Sequence, residues 1–143
     1  MNWRIFWPKN FIFADFSYFC EIINKGVKIL VLTETDACCG PMAAAFLRDY
    51  SPSIEVVSAG NHPLESIESM VVTVMKECLI DLTGYRPKNV TDFDLSDFDA
   101  VYECPDEPAP TTMEEFRALR DSIKNEAYLF FRNTLTTLNS PQI

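Results

Sequence analysis

Val27-Lys28-Ile29-Leu30-Val31-Leu32, then the polar stretch Thr33 to Gly40, then Pro41-Met42-Ala43-Ala44-Ala45-Phe46-Leu47-Arg48, decide the fold. The first six residues are an aliphatic, β-branched run of the kind that forms a buried parallel strand. Pro41 suits a first helical turn, where its missing N–H costs no hydrogen bond, and the alanines behind it favour helix. A strand, a short loop and a helix start make a βα unit. The loop amides and the free first-turn N–H groups then converge at the carboxyl end of the strand, where an oxyanion fits.

Working outward, Ile54-Glu55-Val56-Val57 reads as a second strand, ended by Ser58-Ala59-Gly60. Residues 64–79 carry Ile67, Met70, Val71, Val74, Met75 and Cys78 three and four apart, the spacing of an amphipathic helix. Phe98-Asp99-Ala100-Val101-Tyr102 reads as a third strand. Thr111 or Thr112 caps a last helix with Glu114 and Glu115 in its first turn and an apolar face of Phe116, Leu119, Ile123, Ala127, Phe130 and Phe131. The tail from Asn133 lacks this periodicity and reads as frayed or crossing onto a partner. Strands alternating with helices predict an α/β three-layer sandwich around a small parallel sheet.

The chain divides near Gly26. Residues 1–26 hold 8 of the 18 aromatic residues and a charge of +1, against −10 for the rest. Ile12, Phe16, Phe19, Cys20 and Ile23 recur at helical spacing. This aromatic-rich extension therefore reads as a helix on the domain's own core, as a docking helix for a protein partner, second copy or membrane surface, or as a cleaved targeting peptide. Residues 27–143 form the α/β domain.

At 143 residues the chain holds one domain, and 48% hydrophobic with 23% charged residues exclude a disordered or low-complexity protein. A net charge of −9 argues against a nucleic-acid surface, and no apolar run reaches the length of a membrane span. The cysteines, at 20, 38, 39, 78 and 104, are odd in number and form no Cys-x-x-Cys pair. With a single histidine, His62, they offer no zinc set. No metal or cofactor is expected, and the thiols point to a reducing, intracellular compartment.

The stretch from Val31 through Cys38-Cys39-Gly40-Pro41-Met42-Ala43 resembles the phosphate loop of low-molecular-weight protein tyrosine phosphatases and the related thioredoxin-coupled arsenate reductases, whose loop runs Cys, five residues, Arg, Ser-Pro-Met-Ala. Val57-Ser58-Ala59-Gly60 is similar to that family's Ser-Ala-Gly. Ile80-Asp81-Leu82-Thr83-Gly84-Tyr85-Arg86-Pro87-Lys88 is similar to its Gly-Ile-Asp-Ile-Ser-x-His-Arg-x-Lys segment, and Phe98-Asp99-Ala100-Val101 to its Phe-Asp-Tyr-Val strand. Phe116-Arg117-Ala118-Leu119-Arg120-Asp121-Ser122-Ile123 resembles the helix of the arsenate-reductase branch.

With Pro41 as anchor, the resemblance puts the family's nucleophilic cysteine on Thr33 and its loop arginine on Cys39, and keeps its second cysteine as Cys38. Threonine offers no thiolate and cysteine no positive charge for an oxyanion. Glu34 and Asp36 add negative charge, and Gly40 lacks the hydroxyl of the family's serine. Cys104 lies within one position of the arsenate-reductase branch's redox cysteine, Glu107-Pro108 resembles the Asp-Pro that carries the general acid in the phosphatase branch, and the fourth-strand region is shortened. The expectation is a catalytically degenerate domain acting as an interaction or structural protein, its loop Thr33, Glu34, Thr35, Asp36, Ala37, Cys38, Cys39 and Gly40 remaining a candidate ligand site. The alternatives are turnover of phosphate or arsenate, thiol redox chemistry or arsenite binding through Cys38, Cys39 and Cys104, and a cation held by Thr33, Glu34, Thr35 and Asp36. His62 and the group Asp92, Asp94, Asp97 read as solvated.

Overall fold

The computed structural model describes residues 26–104 and 110–138. The aromatic extension before Gly26 and the Pro105–Ala109 stretch with Glu107-Pro108 lie outside the described residues, as do residues 139–143.

β1 (Lys28–Thr33) is the middle strand of a three-stranded parallel sheet, with β2 (Glu55–Gly60) on one side and β3 (Ala100–Glu103) on the other. Leu30 stands opposite Val57 in one register and Val101 in the other. Alternation along β1 divides its side chains between two faces. Ile29 and Val31 enter the core cluster shared with the helices, whereas Leu30 is fully buried outside that cluster. A strand buried on both faces explains the uninterrupted aliphatic run.

The strand bounds differ from the sequence reading where tertiary pairing extends them. Ser58-Ala59-Gly60 does not end β2 but completes it, because Ala59 and Gly60 pair with Leu32 and Thr33. β3 likewise runs on to Glu103.

α1 (Cys39–Tyr50) begins two residues before Pro41. Its residues 39–47 are all buried, so the helix is enclosed all round and its alanines allow close approach by its neighbours. Arg48 secures its far end, donating from Nε and Nη2 to the Val56 carbonyl of β2 at 3.1 and 2.8 Å.

α2 (Ser69–Lys76) is much shorter than the periodicity over 64–79 predicts. The amides of Leu64 and Glu68 donate instead to Thr35 and Ala37 carbonyls in the loop after β1, a tertiary demand that overrides helix formation there. α2 ends with Leu79 N–H bonded to the Lys76 carbonyl and Ile80 N–H to that of Met75. This helix stop ordinarily places glycine in the left-handed conformation. Here Leu79 takes it, at φ 63°, with 96% of its surface exposed.

α3 (Met113–Leu138) packs against both α1 and α2. Thr112 caps it by accepting the Glu115 N–H at 3.2 Å, and the Glu115 carboxylate accepts the Thr111 N–H at 2.8 Å. Phe116, Ile123, Ala127 and Phe131 are its buried stripe, as their spacing foretells. The helix runs on to Leu138, so residues 133–138 are not the frayed tail expected of them. Glu77, just past α2, receives Arg117 through Nε and Nη2 and Arg120 through Nη1 at 2.7 Å. Arg120 also binds the Val74 carbonyl and Asp121.

Leu79 generates a prediction. A left-handed non-glycine residue costs roughly 1–2 kcal/mol, and this side chain gains almost no burial in return. Leu79→Gly is expected to raise the urea midpoint at unchanged m-value, corresponding to about 1 kcal/mol. An unchanged or lowered midpoint would show that the Leu79 conformation is not strained.

Candidate functional site

The loop between β1 and α1 is held from outside by a backbone ladder. Carbonyls of Thr33, Glu34, Thr35 and Ala37 accept the N–H groups of Asn61, His62, Leu64 and Glu68, at 3.1, 2.7, 3.1 and 2.9 Å. The chain entering that ladder passes Gly60, where a Cβ would stand 2.8 Å from the Glu34 carbonyl oxygen and 3.0 Å from the Asp36 nitrogen. Both are backbone atoms, so glycine is a steric requirement here.

From inside, the loop is pinned by Asp36. This residue is fully buried at φ 51°, and its N–H donates to Thr33 Oγ1 at 3.0 Å. Its Oδ2 accepts the Tyr85 hydroxyl at 2.6 Å and the Lys88 N–H at 2.9 Å. The Ser58 hydroxyl of β2 meets the same phenol. Two distant segments, β2 and residues 85–88, thus meet at the Asp36 carboxylate. Its other oxygen, Oδ1, is buried without a hydrogen-bond partner.

Gly40 explains the orphaned oxygen. A Cβ at Gly40 would lie 3.1 Å from Asp36 Oδ1 and 2.9 Å from Thr33 Oγ1, so a hydroxyl-bearing side chain there would lie beside both. Without such a donor, burial raises the Asp36 pKa above the usual carboxylate range, against the opposing bonds from Tyr85, Lys88 and Ser58.

The remaining loop residues divide by exposure. Thr33 is buried, with its hydroxyl accepting from Asp36. Glu34 lies at the rim, bonded to His62 Nδ1 and to the Asn61 amide, and these partners hold its pKa low. His62 is solvent-facing as expected, but it is paired rather than solitary. Thr35 and Ala37 serve the loop through their carbonyls.

Cys38 is half-buried at the loop's end, and Cys39 is the buried first residue of α1. Cys104 follows β3, and its amide donates to the Leu32 carbonyl at 3.0 Å, which seats it beside the end of β1. The Cys104 and Cys38 thiols both reach Cys39, and their hydrogen bonds hold the Cys39 thiol well below the ordinary cysteine range. Cys38, Cys39, Cys78 and Cys104 form no disulfide with one another, and among the described residues no three His, Cys, Asp or Glu side chains are arranged to hold a metal ion.

A loop between a buried strand and a helix start is the arrangement the sequence implies, its packing on the Ser-Ala-Gly end of β2 is what the structure adds, and comparison with known proteins decides the family. Residues 28–107 match the model of the low molecular weight phosphotyrosine protein phosphatases. The chain belongs to that family.

A candidate arsenate reductase of Halobacterium salinarum is 28% identical over 102 residues, covering 59% of this chain and 72% of the relative. Among solved structures, an arsenate reductase in its phosphate-binding state superposes with a TM-score of 0.67 at 18% identity, covering 76% of this chain and 98% of its own. The low molecular weight tyrosine phosphatase of T. tengcongensis gives 0.66 at 18% identity, covering 76% and 99%. At these identities the solved structures establish the phosphatase-type α/β fold, and the family match rests on the sequence.

Sequence reasoning reached the loop residues but missed what holds them. Tyr85 and Lys88 belong to the family-like segment from Ile80 to Lys88, and Lys88 acts there through its backbone N–H. The available signal was the pairing of Ser58 with the Tyr85-Arg86-Pro87-Lys88 stretch, two family-like segments without an assigned contact.

Asp36 supplies a pH prediction. An acid whose folded pKa is raised holds its proton more tightly in the fold, so its contribution is greatest below the ordinary aspartate pKa of about 4 and is lost as pH rises through the folded value. Asp36→Asn, which keeps an acceptor for Tyr85 and Lys88 and puts a donor toward Thr33, is expected to raise the melting temperature at pH 8. The same substitution is expected to flatten the decline of stability above pH 4. An unaltered pH profile in thermal melts of the variant would overturn this account.

Proposed function

We propose that this domain keeps the family's fold but not its phosphoryl or arsenate transfer, and acts as a binding protein. Thr33 carries the reading. By register with Pro41 it corresponds to the family nucleophile's place, yet it is a buried hydroxyl whose oxygen accepts the Asp36 N–H and offers no thiolate. At the place that the resemblance gives the loop arginine stands Cys39, whose thiol supplies no positive charge to clamp equatorial oxygens.

The loop architecture that would cradle an oxyanion is nevertheless preserved by Gly60 and the carbonyl ladder, which supports a scaffold retained for recognition. The aromatic extension of residues 1–26 is the segment proposed to engage a protein partner or a second copy.

The test is turnover of an aryl phosphate, and of arsenate with thioredoxin as reductant. It compares the natural protein, the double variant Thr33→Cys with Cys39→Arg, and the triple variant that adds Gly40→Ser. Cysteine at 33 removes the threonine Cγ2 that would stand 3.1 Å from a Cβ at position 40, while the γ-atom of residue 33 and Asp36 Oδ1, at 2.9 and 3.1 Å in the natural protein, must shift to admit the serine, so the double variant is carried beside the triple one. The natural protein is expected to be silent and activity to appear in the multiple variants. Turnover by the natural protein that Cys38→Ser abolishes would overturn the proposal.

A further inference from the structure

Leu79 is held at φ 63° and left exposed in the single chain. A leucine in a left-handed helix stop is strained, and its exposure brings no burial to offset that strain. Strain without a reward inside the molecule points to a role outside it. Leu79 also lines a cavity of about 320 Å³ between α1 and the residues that follow α2. Buried Ala45 and Leu82 and half-buried Ile80 give this cavity an apolar lining, and Asp49 and Asp81 add exposed carboxylates.

The cavity lies at the end of the sheet opposite the loop. Its Arg48 is bonded to the Val56 carbonyl, and the neighbouring Glu55 N–H donates to the Val27 carbonyl at 3.0 Å. The chain before Gly26 therefore leaves the domain at the same end as the cavity. Within that segment, residues 3–13 hold Trp3, Phe6, Trp7, Phe11 and Phe13 with Arg4 and Lys9 and no acidic residue. An apolar, cationic stretch complements a leucine beside two carboxylates, on a domain whose residues after Gly26 sum to −10.

We propose that residues 3–13 of one copy dock in this cavity of a second copy, an aromatic side chain covering Leu79, and that two copies exchange these segments across a two-fold axis. Shared placement of exit and cavity makes the exchange reciprocal, because two copies facing each other by this end bring each extension to the other's cavity. Residues 14–25 form the link, and twelve residues span at most about 40 Å extended and about 18 Å as a helix. The inference rests on the reading of the aromatic extension as the recognition segment, and it names the partner as a second copy and Leu79 as the anchor of its seat.

The experiment uses the full chain. Sedimentation equilibrium measures association, and a zero-length carbodiimide joins Lys9 to neighbouring carboxylates in an equal mixture of natural and nitrogen-15-labelled protein. A reversible dimer is expected, with Lys9 joined to Asp49 or Asp81 in peptides that carry one labelled and one unlabelled half. Leu79→Gly is expected to raise the dimer dissociation constant by roughly tenfold, and Phe6→Ser with Trp7→Ser to weaken the dimer likewise. Leu79→Gly relaxes the turn in the dissociated chain, so its weaker association comes without a loss of fold. A chain that stays monomeric, Lys9 links confined to one isotope, links to carboxylates away from the cavity, or a dimer indifferent to Leu79→Gly would each overturn the proposal. None of these outcomes touches the turnover test, which reads the loop at the other end of the sheet, so the two readings fail separately.

Discussion

The site depends on two backbones being allowed to touch. Where β2 ends, Gly60 lies against the Glu34 carbonyl and the Asp36 nitrogen so closely that no side chain fits between them. That contact lets the following residues run alongside the loop and collect its carbonyls one by one. A methyl group at this point would separate the strands of the ladder, expose the loop carbonyls and release Asp36 from its partners. Overpacking of a fixed contact typically costs 1–3 kcal/mol, and here the cost would fall on the loop before the sheet. The glycine is therefore a condition of the loop's shape.

Within that shape, Asp36 plays a costly structural part. A neutral amide at the same position would satisfy Tyr85 and Lys88 and leave no charge to desolvate. The carboxylate instead leaves Oδ1 unpaired beside Gly40, where a hydroxyl donor is missing. Buried polar groups without partners are rare in native proteins. In the register that the resemblance implies, the family's serine, cysteine and arginine correspond to Gly40, Thr33 and Cys39, and all three positions lie in the loop that the carbonyl ladder supports.

Much of this architecture was legible in the amino-acid sequence, because the features that carry it are local. The aliphatic run of β1 and the stripe of α3 follow from pattern alone. α2 was read too long because the apolar spacing over 64–79 cannot reveal that Leu64 and Glu68 surrender their amides to the loop. The role of Tyr85 was invisible for the same reason: a contact spanning 49 residues leaves no periodic trace. Leu79 escaped notice because it interrupts nothing in the pattern, although the helix stop it occupies favours glycine. The loop residues themselves were found through family resemblance, and the convergence of Cys39 with Cys104 needed three dimensions.

The middle position of β1 has a consequence for synthesis. Lys28 at its start donates to the Asp99 carboxylate 71 residues later, at 2.8 Å. At about 5–20 residues per second, a ribosome needs roughly 4–14 s to deliver that partner. During this interval β1 can pair with β2 but keeps its other edge open, with an aliphatic run behind it. Nascent chains of this domain are accordingly expected to need shelter on the ribosome, and the step that ends their vulnerability is the arrival of β3.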